Sequence, residues 1–92
     1  MFRITGKKGF HITFDNGYTV SVQFGPGNYC DNHDAEIGRD DESSAKRGSS
    51  TAECAVWARG GEMIRYGSWN DTVGGYMTPA EVLELMNWAA KQ

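Results

Sequence analysis

Phe10-His11-Ile12-Thr13-Phe14-Asp15-Asn16-Gly17-Tyr18-Thr19-Val20-Ser21-Val22-Gln23-Phe24 is the stretch whose reading decides the fold. Both flanks of Asp15-Asn16-Gly17 alternate apolar and polar residues with the period of a half-buried strand. Register decides the loop between them. A two-residue Asn16-Gly17 loop sets Phe14 opposite Thr19 and mixes apolar with polar neighbours. A three-residue loop with Gly17 in the left-handed conformation sets Phe14 opposite Tyr18, Ile12 opposite Val20 and Phe10 opposite Val22. All apolar side chains then share one face, and His11, Thr13, Thr19, Ser21 and Gln23 share the other. The sequence therefore predicts a three-residue hairpin with one face to bury.

Working outward, Phe2-Arg3-Ile4-Thr5 alternates as well, and Gly6-Lys7-Lys8-Gly9 supplies a turn into the hairpin. Its lysines do not form a Walker loop, which needs a longer Gly-to-Gly spacing followed by Lys and Ser or Thr. Ala52 to Arg59 reads as a strand, Gly60-Gly61 as a two-residue turn, and Glu62 to Tyr66 as its return. That register pairs Arg59 with Glu62 and Trp57 with Ile64. Gly67 to Gly75 reads as a loop with a short strand around Trp69. A helix follows: Thr78 is the N-cap, Pro79 the first helical residue, and Glu81 completes a capping box. Met77 and Val82 hold the staple positions. Val82, Leu85, Met86 and Ala89 form the apolar stripe, widened by Leu83 and Ala90. A helix of about a dozen residues is marginal alone, so it must dock on the sheet. The expected fold is α+β: a small antiparallel sheet of two or more hairpins packed against one C-terminal helix, with residues 1–92 as a single domain.

With 92 residues, the chain buries only about 60–65% of its unfolded surface, so one thin core is expected and self-association is a plausible support. Three Trp, four Tyr and four Phe suffice for one sheet face and the underside of one helix. The net charge is −3, and the nine basic residues are scattered rather than gathered in a stripe. That disfavours direct nucleic-acid binding and suits a basic protein partner. No apolar run approaches a membrane span and no signal segment opens the chain, so a cytoplasmic location with Cys30 and Cys54 as free thiols is expected.

Gly25 to Ser50 lacks clear periodicity, and loops of this length are usually functional or disordered. Its first half has residues that pack; Gly38 to Ser50 is expected to stay mobile until it meets a partner. Cys30 and His33 make only one of the two ligand pairs that a structural zinc site needs. The same pair lacks the orienting group and oxyanion donors of a thiol nucleophile. The acidic residues lack the oxygen-ligand register and central Gly of a calcium loop. No cofactor, metal site or catalytic residue is therefore expected. Two readings of the carboxylates stay open: a solvated loop, or a surface offered to an Arg/Lys-rich partner. Tyr29, Trp69, Tyr76 and Trp88 cannot all be placed in the core by periodicity, and exposed aromatics favour binding hot spots. The candidate partner-binding residues are Tyr29, Asp31, Asp34, Glu36, Asp40, Asp41, Glu42 and Trp69.

The segments ITFDNGYTVSVQFGPGNYCDN (residues 12–32) and DTVGGYMTPAEVLELMNWAA (residues 71–90) resemble small accessory proteins encoded by tailed phages and prophages. The resemblance brings no catalytic or site residues with it. It implies context: such proteins often inhibit host defence, as anti-CRISPR proteins do, by occupying a partner's surface. The first expectation is thus a non-catalytic inhibitor of a host defence factor, acting in the host cytoplasm. The alternatives are an oligomeric sponge for a nucleotide immune signal and a small virion or assembly component. For the sponge, Gly25-Pro26-Gly27 and Gly74-Gly75 would admit phosphates, and Arg59, Arg65 or Tyr29 would hold charge and base.

Overall fold

The computed structural model describes residues 1–6, 8–36 and 48–92. Five strands, β1 (Phe2–Thr5), β2 (Gly9–Thr13), β3 (Thr19–Gln23), β4 (Ala52–Trp57) and β5 (Val73–Met77), precede one helix, α1 (Pro79–Ala90). They form a single antiparallel sheet whose spatial order follows chain order. The helix packs on one face of it, against β3 and β4. The expected α+β fold is the observed one.

The central hairpin adopts the register that the alternation demands. Phe10 faces Val22 and Ile12 faces Val20. Gly17 closes the loop at φ 88°, and its N–H donates to the Phe14 carbonyl at 2.9 Å. Register then carries the apolar face sideways. Val20 lies opposite Val56 and Val22 opposite Cys54 on one side; Phe2 lies opposite Ile12 and Ile4 opposite Phe10 on the other. Leu85 and Ala89 close over Val20, Val22, Cys54 and Val56 to form the core. The reverse face stays polar, with the Thr13 and Thr19 hydroxyls 2.8 Å apart and His11 against the Trp57 ring at 5.4 Å.

The same loop closure recurs between β1 and β2, where Lys8 has φ 67°, and after β4, where Gly61 has φ 89°. The last corrects the two-residue Gly60-Gly61 turn. Ala58 donates to Glu62 at 2.8 Å and Ile64 to Val56 at 2.9 Å, and Trp57 bridges Met63. The pairs Arg59–Glu62 and Trp57–Ile64 do not form. A one-residue slip exchanges the two faces, and only the observed register turns Ile64 toward the core with Val56. The return segment is no strand either: beyond the Met63 bridge, Ile64 and Tyr66 simply pack against the core. No strand forms around Trp69; the fifth strand begins later, at Val73. It went unread because Gly74 and Gly75 erase its alternation. Gly74 is required there, since a Cβ would collide with the Trp69 indole.

The helix start matches its sequence signature. The Thr78 hydroxyl accepts from the Glu81 N–H at 3.3 Å, and a Glu81 carboxylate oxygen accepts from the Thr78 N–H at 2.9 Å. The wider apolar stripe is not buried. Leu83 and Ala90 stay exposed, because α1 meets the sheet chiefly through β3 and β4 and buries its Leu85–Ala89 side there. At the far end of α1, Asn16 holds the helix to the hairpin loop. Its amide donates to the Ala89 carbonyl at 2.7 Å and the Gln92 carbonyl at 3.0 Å, while its oxygen accepts from the Tyr18 N–H at 3.0 Å.

Thr78→Ala is expected to lower stability by about 1 kcal/mol in denaturant titration. The reciprocal bond from the Thr78 backbone, followed by the Thr78 hydroxyl, holds the Glu81 carboxyl below its ordinary value. A carboxyl lowered in the fold stabilises it fully above the ordinary value of 4.5, and that contribution is lost as pH falls through the folded-state value. Glu81→Gln should therefore flatten the acid limb of a melting-temperature profile and leave its slope near pH 7 unchanged.

Candidate partner-binding surface

Residues 25–36 follow β3 as an ordered loop. Asn28, Cys30 and Asn32 point inward and are buried, while Tyr29 and Asp31 between them point out. The inward side chains knit the loop to itself and to the sheet. The Asn28 amide donates to the Gly25 carbonyl at 3.2 Å, the Cys30 thiol approaches that same carbonyl at 3.7 Å, and Asn32 donates to the Phe24 carbonyl at 2.9 Å. This is alternation without a ladder. Its inward residues are amides and a thiol rather than aliphatics, so a search for apolar periodicity passes over it.

Backbone contacts attach the outer side of the loop to the sheet. The Tyr29 N–H donates to a Glu53 carboxylate oxygen at 2.9 Å, and the Tyr29 carbonyl accepts from the Tyr76 N–H at 2.8 Å. Asp31 takes the hydroxyls of Ser50 and Thr51, the latter at 2.8 Å. Those two bonds, Ser50 first, hold its carboxyl below the ordinary carboxylate range. Asp31 is thus kept charged at the surface. His33 lies flat on Tyr29, ring centres 5.8 Å apart, with Nδ1 2.8 Å from the Asp34 carboxylate.

Tyr76 is the residue that stands out. It has φ 53°, a left-handed backbone that costs an ordinary residue roughly 1–2 kcal/mol. The residue is nevertheless 55% exposed, and Tyr29, whose carbonyl takes its N–H, is 56% exposed. A strained, solvent-facing aromatic gains nothing from core packing, which makes it a pointer toward function.

The candidate residues therefore divide. Tyr29, Asp31 and Asp34 share one surface, with Glu36 exposed further along the same loop. Asp40, Asp41 and Glu42 lie outside the described residues. Trp69 is elsewhere, half-buried over Gly74 and edge-on to Tyr66 at 5.6 Å. Trp88 likewise packs, edge-on to Tyr18 at 6.0 Å. Tyr76 and Glu53 join the surface; Tyr76 was legible as an unplaced aromatic, whereas Glu53 read as an ordinary strand residue.

Both thiols are free and buried, and burial pushes Cys54 up to about 12, so it stays protonated and unreactive. Cys30 is turned to the Gly25 carbonyl, while the His33 ring is engaged by Tyr29 and Asp34. Among the described residues no three His, Cys, Asp or Glu side chains converge as metal ligands, and no helix is long and apolar enough to cross a membrane. No family model matches the chain, and no curated protein or solved structure is significantly similar to it.

Tyr76→Gly removes both the aromatic ring and the left-handed strain. Its melting temperature should equal or exceed that of the parent. A fall of several degrees would mean that the Tyr76 ring is a packing element instead.

Proposed function

We propose that this chain is a non-catalytic, phage- or prophage-encoded binding protein that inhibits a host defence factor, in the manner of anti-CRISPR proteins, by occupying its surface. The observation that carries the binding role is two exposed tyrosines, Tyr29 and Tyr76, on segments joined by a backbone hydrogen bond, with the carboxylates of Asp31, Asp34 and Glu53 on the same two segments and the neighbouring strand. Aromatics supply rigid contact area, and the surrounding negative charge selects a partner rich in Arg and Lys. The phage context comes from the sequence resemblance, and it places the action in the host cytoplasm.

Affinity capture from host lysate, followed by titration with the purified partner, tests the reading. Tyr29→Ala and Tyr76→Ala should each weaken binding at least ~30-fold, the equivalent of about 2 kcal/mol for a hot-spot residue. Charge reversal at Asp40, Asp41 and Glu42 reports whether the adjoining segment adds to the contact. Partner affinity unchanged by both tyrosine variants would remove this surface from consideration.

A second reading, the nucleotide sponge, gains one observation and loses another. Trp69 fills the side-chain side of Gly74 and Tyr29 that of Gly75, so these glycines make room for the protein's own aromatics and need no phosphate to explain them. On the polar sheet face, however, His11, Thr19, Trp57 and Arg59 line a hollow of about 260 Å³. Arg59 has no carboxylate within ion-pairing distance among the described residues. A stabilising thermal shift with cyclic nucleotides that disappears in Arg59→Ala would favour the sponge.

A further inference from the structure

Five asparagines occur in the chain, and only Asn16 precedes a glycine. The hairpin selects this pair, since Gly17 takes φ 88° and asparagine suits the residue before it. An asparagine followed by glycine is also the arrangement most prone to deamidation. Without a side chain, the glycine leaves its backbone nitrogen open to the neighbouring amide carbon. In the fold both reacting groups are held. The Gly17 N–H donates to the Phe14 carbonyl at 2.9 Å. The Asn16 side chain donates to the Ala89 and Gln92 carbonyls and accepts from the Tyr18 N–H. Both of its acceptors belong to the last turn of α1 and to Gln92 just beyond it, so the end of the helix decides whether the amide can turn.

We propose that Asn16 is a self-modification site gated by the C-terminal end of α1, and that its conversion unmakes the contact that gates it. The Gly17 nitrogen gives its proton to solvent and bonds to Asn16 Cγ. The Cγ–Nδ2 bond breaks, and ammonia leaves with a proton returned from water. The product is a five-membered succinimide, which water then opens. Addition at Cγ breaks the new bond and gives aspartate. Addition at the Asn16 backbone carbonyl carbon breaks the original peptide bond and gives isoaspartate. Nothing is oxidised or reduced, and water is the sole co-reactant.

Either product breaks the same tie. A carboxylate has no N–H to donate, and it would stand against two carbonyls at the negative end of the helix dipole. Isoaspartate also lengthens the main chain by one carbon within a loop whose length sets strand register. Once ammonia has left, the change is permanent. The tyrosine surface takes no part in this chemistry.

Incubation of the full chain in mildly alkaline buffer, with and without denaturant, followed by peptide mass mapping, tests the proposal. In denaturant Asn16 should gain one mass unit before Asn28, Asn32, Asn70 and Asn87, and in the fold it should do so at least about tenfold more slowly. Ala90→Gly, at an exposed position of the last helical turn, should speed conversion of the folded chain about fivefold. Thr78→Ala weakens the opposite helix end by a comparable amount and should speed it less. Equal acceleration by both would place the reaction in the wholly unfolded chain and overturn the gate. So would a folded chain that converts as fast as the denatured one. Asn16→Asp makes the aspartate product directly. It should melt several degrees below the parent, with the gap narrowing as acid protonates the new carboxyl, and an unchanged melting temperature would overturn the second half of the proposal.

Discussion

The register of the β2–β3 hairpin is the constraint from which the rest of the structure follows. Gly17 at φ 88° closes a three-residue loop, and that closure places Phe10, Ile12, Val20 and Val22 on one face. Each neighbouring strand inherits its facing from this pair. Cys54 and Val56 continue the apolar surface on one side, and Phe2 and Ile4 on the other. The docking of α1 is a response to that surface, and Leu85 and Ala89 supply the matching stripe. Side-chain period in a strand is two, so an error of one residue at the loop would have presented threonines and a histidine to the helix.

Much of this was legible because local and long-range preferences agree. The hairpin has one loop length that unmixes its faces, and Thr78, Pro79 and Glu81 are a helix start that few alternatives can satisfy. Where reading failed, the chain was satisfying something that its own neighbours do not encode. Gly60-Gly61 looks like a two-residue turn on local chemistry, but Ile64 has to reach the core and so takes the longer loop. The test of facing that settled the first hairpin would have found Val56 opposite Ile64 here too. Strand β5 was hidden for a different reason. Gly74 gives way to an indole arriving from Trp69, a requirement visible only in three dimensions.

The candidate site was less legible than the fold for a related reason. Tyr29, Asp31 and Asp34 were recognisable as residue types suited to contact, but their grouping with Tyr76 and Glu53 depends on one backbone bond and one carboxylate contact across distant segments. The two ends of the molecule also differ in character. One presents aromatics and carboxylates on a clamped loop, and the opposite margin of the sheet presents bare hydrocarbon. A protein of this size has little surface, and here an acidic, aromatic margin and a hydrocarbon margin are kept apart by the width of five strands.

Asn16 links the β2–β3 hairpin loop to the last regular element of the chain. One side-chain amide fixes the hairpin loop through Tyr18 and ties down the helix end through Ala89 and Gln92. Helix C-termini normally fray, because their last carbonyls have no partner within the helix. Here the final turn cannot loosen without releasing the loop that sets the register of the sheet. Fluctuations at the two places are thereby joined in one cooperative unit, and amide exchange near Tyr18 and near Lys91 should share an opening rate although the residues lie at opposite ends of the sequence.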